Sequence, residues 1–138
     1  MTATLQGAIA ELITVVSGVT GVQNAPATPT EQITSYPVAM VYAAEGKSSN
    51  GMGSRLESEH NIQIALLMPL NDYRQATTTM LPFHEPIIAA LFSHRNSRAS
   101  LHYQSFAGVS YTFGRIDWGS EAFGYIFTIE GVRIKNNI

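Results

Sequence analysis

The 138-residue chain has no cysteine, which excludes disulfides and thiolate metal sites and removes any redox clue to compartment. It is also short of charge. Asp, Glu, Lys and Arg make up 13 % of it, about half of the roughly 25 % usual for soluble domains. There is no run of Lys or Arg, so the electrostatic footprint of a nucleic-acid binder is missing. No apolar stretch approaches the roughly 20 residues that cross a bilayer. No basic stretch precedes the first apolar residues, so the start does not read as a secretion signal. These absences point to one domain spanning residues 1–138, without membrane contact and kept in a cytoplasm until it assembles. A thinly charged surface suits a chain that covers itself with copies or partners. The alternative is a monomer solubilised by its many Ser, Thr, Asn and Gln residues.

What is present reads as alternating helix and strand signals. Leu5, Ile9, Leu12, Ile13 and Val16 recur at steps of three and four and predict a helix. Thr2 or Thr4 can cap it and Gly18 can end it. Gly21–Ser35, with Pro26 and Pro29, predicts a long irregular connection. Tyr36–Ala44 is almost wholly apolar, so both of its faces need cover, and a central strand is expected. Glu45–Ser58 is the most loop-like stretch, and it reads either as a mobile hairpin tip or as a loop that orders on a partner. His60–Met68 predicts the return strand. If that strand starts early, Glu57 and Glu59 share the face of Asn61 and Gln63. Asp72 and Gln75 are spaced as a capping box for a second helix, which Pro82 and Pro86 should kink or divide. His94–Ser100 is expected to be a polar loop and Leu101–Ala107 a weak strand. Tyr111–Trp118 and Phe123–Ile134 should pair across a Gly119–Ser120 turn. Phe123, Tyr125, Phe127 and Ile129 then share one face, with Ile126, Thr128, Glu130 and Val132 on the other. The expected class is α+β, helices packed on one face of an antiparallel sheet with a long hairpin loop.

No chemical signature accompanies this pattern. His60, His84, His94 and His102 show no metal-ligand spacing. No serine sits in a nucleophile turn, and Gly51-Met52-Gly53 lacks the rest of a dinucleotide loop. The pairs Glu57/Glu59 and Asp117/Glu121 are read as solvated strand and turn positions. Trp118 and the Tyr and Phe residues could stack on bases or sugars, but core packing accounts for them better without basic neighbours. No cofactor, metal or catalytic residue is expected.

The closing stretch runs Tyr111-Thr-Phe-Gly-Arg-Ile-Asp-Trp-Gly-Ser-Glu-Ala-Phe-Gly-Tyr-Ile-Phe-Thr-Ile-Glu-Gly-Val, and Met80-Leu-Pro-Phe-His-Glu-Pro-Ile-Ile-Ala-Ala-Leu-Phe precedes it. With the element order, these stretches resemble the tail-terminator and tail-completion proteins of tailed bacteriophages, in outline over nearly the whole chain. The resemblance implies a non-enzymatic virion protein. It implies a homo-hexameric ring at the head-proximal end of the tail, which stops tube growth and joins tail to head. The implied partners are further copies, the tail-tube protein and the head–tail connector, with DNA passing through the lumen without specific binding. The implied assembly loop is Lys47, Ser48, Ser49, Asn50, Gly51, Met52, Gly53, Ser54 and Arg55. The Gly21–Ser35 connection is a second candidate. Glu57 and Glu59 are candidates to line the lumen, where a neutral or acidic wall lets DNA slide. The alternatives are another virion ring, such as a head–tail adaptor or tail-tube protein, or a small ligand-binding or enzymatic α+β domain.

Overall fold

The computed structural model describes residues 4–30, 35–50, 55–96, 103 and 105–137. The chain is α+β. Its elements are α1 (Leu5–Ser17), β1 (Val38–Asn50), β2 (Arg55–Pro69), α2 (Tyr73–Met80), a 3-10 turn (Leu81–Phe83), α3 (His84–Asn96), β3 (Gly108–Asp117) and β4 (Glu121–Asn137). The four strands form one antiparallel sheet in the order β1-β2-β4-β3.

Local chemistry sets the helix ends. The Gly7 amide donates to Thr4 Oγ1 at 2.9 Å, so Thr4 caps α1, and Gly18 closes it. Asp72 caps α2 by accepting from the Arg74 and Gln75 amides. Pro82 falls in the 3-10 turn that divides the second helix, and Pro86 lies in the first turn of α3, where its missing amide proton costs nothing. His94 is not in a loop as expected, because α3 continues through it to Asn96. Its Nε2 lies 3.3 Å from Glu11 Oε2 and ties α3 to α1.

One face of the sheet carries the main core. Ile62, Ile64, Leu66, Phe123, Tyr125, Phe127 and Ile129 are all buried there, under Ala8, Leu12 and Val16 of α1 and Ala76, Met80, Ile87 and Leu91 of the divided helix. Each such side chain contributes roughly 1.5–3 kcal/mol on burial. Gly124 sits among them with φ +152°, where a Cβ would overlap the Leu66 carbonyl. Only glycine fits that close approach between the paired strands β4 and β2.

Two expectations about the strands need correcting. First, β1 is an edge strand, not a central one. Its second face is covered by the same chain. Asn24 bridges Val38 in parallel, and the Thr30 amide reaches the Met40 sulfur at 3.4 Å. Second, Val132 belongs to the helix-covered face. A bulge in β4 sets Glu130 and Gly131 against one residue of β2, and Gly131 takes φ +67°. The extra residue reverses the alternation beyond Ile129, so Val132 and Ile134 join the core.

Candidate assembly surface

The other face of the sheet has no helix on it among the described residues, and it divides into three zones. At the first end, Val38, Met40, Ala65, Leu67 and Ala122 form a small second core. Trp118 packs over it with Tyr42, their ring centroids 5.6 Å apart. The indole N–H of Trp118 donates to the Thr30 carbonyl at 2.8 Å, pinning the segment from Asn24 to Thr30 over this end. The burial that raises the Tyr42 pKa belongs to the same patch.

The middle zone is polar. Gln63 donates to Thr128 at 3.2 Å, Ser110 to Glu130 at 3.1 Å, and Asn61 to Glu45 at 3.0 Å. The far zone is charged. Register sets Lys47 of β1 opposite Glu59 of β2, and Glu59 opposite Arg133 of β4. One step further, Ser49 faces Glu57, which stands opposite position Lys135. Charges of both signs thus alternate across the strands, an arrangement that favours pairing. Lys47, Glu57, Glu59 and Arg133 border a depression of about 300 Å³.

The sequence-derived assembly loop is much shorter than expected. Lys47, Ser48, Ser49 and Asn50 belong to β1, and Arg55 opens β2, so the hairpin runs on as paired strand where a mobile tip was read. Gly51, Met52, Gly53 and Ser54 lie outside the described residues. Glu57 and Glu59 do share the face of Asn61 and Gln63, because β2 starts early enough. The Gly21–Ser35 connection, described as far as Thr30 and again at Ser35, is committed to the small core. The sequence reading missed the register that sets Glu59 between Lys47 and Arg133, whose only signal was the matched spacing of charges in three strands.

The histidines are dispersed. His60 sits half-buried on the helix-covered face beside Val132, and burial lowers its pKa below 6.5. His84 packs on Tyr111 at 4.7 Å, with Glu85 at 3.3 Å from its Nδ1. His102 lies outside the described residues. Among the described residues no group of three acidic or histidine side chains could hold a metal ion. No described helix is long and apolar enough to cross a membrane.

Among the described residues, both outer strands present edges with unpaired stretches. Beyond the Asn24 bridge, no described residue pairs with the outer side of β1, and none pairs with the outer side of β3. Such rows of unpaired amides and carbonyls are templates for another strand. No protein-family model matches the chain, and no curated protein matches it significantly.

Proposed function

We propose that the chain is a non-catalytic structural subunit of a virion ring, placed at the head-proximal end of a bacteriophage tail, where it ends the tail tube and joins it to the head connector. One observation carries the reading. Among the described residues, a single sheet has its helices on one side, a largely polar second side, and two edge strands that run in opposite directions, open beyond the Asn24 bridge. Copies arranged around an axis would put the helices outside and the polar side inside. Glu57 and Glu59 would then look into the lumen, interleaved with Lys47 and Arg133. Such a balanced wall offers duplex DNA no continuous cationic track, and DNA passes without being held. The low overall charge and the resemblance of the closing hairpin to tail-terminator proteins support the same reading. Assembly in a host cytoplasm and residence in the virion follow from it.

The described depressions are about 250–300 Å³, at or below the lower limit of ordinary small-molecule sites. Light scattering with negative-stain microscopy, alone and with the tail-tube protein, tests the proposal. Closed rings that cap tube ends are expected. A chain that stays single and leaves tube length unchanged contradicts it.

A further inference from the structure

The helix layer is offset on the sheet. It packs on β1 and β4, and it leaves the helix-side surface of β3 largely uncovered. Tyr111 and Phe113 project from β3 on that side, opposite Phe127 and Tyr125. Tyr111 is 52 % exposed although His84 touches it, and Phe113 is half-buried. An aromatic ledge therefore runs along the outer flank of β3, beside its free edge.

The opposite flank carries a matching feature. Glu11 of α1 reaches across to His94 of α3. On a helix of about 3.6 residues per turn, Ile9 and Ile13 fall roughly opposite Glu11. They lie on the side of α1 turned away from α3, both are only half-buried, and α1 itself packs on the edge strand β1. One flank thus offers an apolar helix side and, beyond the Asn24 bridge, a strand edge that no described residue pairs with. The other offers a strand edge unpaired among the described residues, below an aromatic ledge that α3 touches only through His84 at Tyr111. Because β1 and β3 run in opposite directions, β1 of one copy laid beside β3 of another continues the antiparallel alternation.

We infer that copies of this chain join head to tail through these two flanks. The β1 edge with Ile9 and Ile13 of one copy meets the β3 edge with Tyr111 and Phe113 of the next. The inference rests on the assembly reading above and specifies the contact. The partner is a second copy because the two flanks supply what each other lacks. A heterologous contact of this kind closes into a ring when its rotation allows.

The test uses two variants of the full chain, Tyr111→Asp and Ile13→Asp, checked for folding by circular dichroism. Each loses one flank and keeps the other. Each alone is expected to run as a single chain, whereas their equal mixture forms a two-chain species through the two intact flanks. A mixture that stays single while wild type assembles overturns the inference and leaves the assembly reading standing. So does an Ile13→Asp chain that dimerises by itself, which would mark a symmetric β3–β3 contact. Wild type that stays single at its highest soluble concentration overturns both. Should Ile13→Asp fail to fold, cross-linking replaces it, since the chain has no cysteine. Tyr111→Cys and Ile9→Cys chains, mixed and treated with a bis-maleimide, are expected to yield several-fold more two-chain product than either alone. Equal yields overturn the inference.

Discussion

The two faces of this sheet are made by the same strands and differ in every other respect. On the helix-covered face, side chains from Ile62 to Met68 and from Phe123 to Ile129 are uniformly apolar and buried. On the opposite face, the alternate residues of those strands grade from a small apolar cluster through hydrogen-bonded amides and hydroxyls to alternating charges. The first face holds the fold together. The second needs only to stay soluble or to meet something polar, which is what a lumen wall requires.

Substitutions on the two faces should separate these roles. The largest effect is expected at Gly124, where alanine would collide with the Leu66 carbonyl. Gly124→Ala should cost on the order of 4 kcal/mol or more, a large part of the total stability of a small domain, and urea unfolding reads it. Trp118→Ala on the other face removes a half-buried indole and its bond to Thr30. A loss of about 1–3 kcal/mol is expected there, with faster amide exchange confined to the small core and the segment ending at Thr30. A loss as large as that for Gly124→Ala would mean that the small core, too, is indispensable. Glu57→Lys with Glu59→Lys should cost up to about 1 kcal/mol, because both positions are half-buried and a lysine at position 59 would face Lys47 and Arg133. The doubly substituted assembly should instead bind duplex DNA and release it as salt rises; mobility-shift assays over a salt series check this.

The smallest effect concerns His60. Burial holds its pKa below 6.5 in the folded chain, so the unfolded chain takes up the proton first. Protonation of His60 therefore adds no pH dependence well above pH 6.5, and stability is lost as pH falls through that value, until the folded pKa is reached. His60→Gln should remove this component and flatten the decline, as measured by urea midpoints over a pH series. A steeper decline in the variant would contradict the burial of His60.

Much of the fold was legible in the sequence because its signals are local. Thr4 and Asp72 are capping residues at the correct offsets, Pro82 and Pro86 break a helical period, and Phe123–Ile129 alternates cleanly. The errors arose where a contact distant in sequence overrode local pattern. The Tyr36–Ala44 stretch looked central because it is apolar on both sides, yet Trp118 and Thr30, 88 residues apart, help to cover one side of an edge strand. Gly46 to Asn50 looked like a loop by composition, but pairing with β2 from Leu56 to His60 holds it as strand. Val132 changed face because one bulge, filled by Asn61 accepting from the Gly131 amide at 3.2 Å, shifts the count by one. Of the candidate site, the facing of Glu57 and Glu59 was readable from strand parity. The cross-strand charges beside them depend on register, which residue counting alone does not supply.

Amide hydrogen exchange of wild type, followed from dilute to concentrated solution, tests most directly whether the bare sides of this sheet are where copies meet. Outward amides of β3 and of β1 beyond Met40 should become protected as concentration rises, while those of β2 and β4 stay constant. Exchange in β1 and β3 that is equally fast at every concentration, in a sample shown to contain rings, would contradict the account.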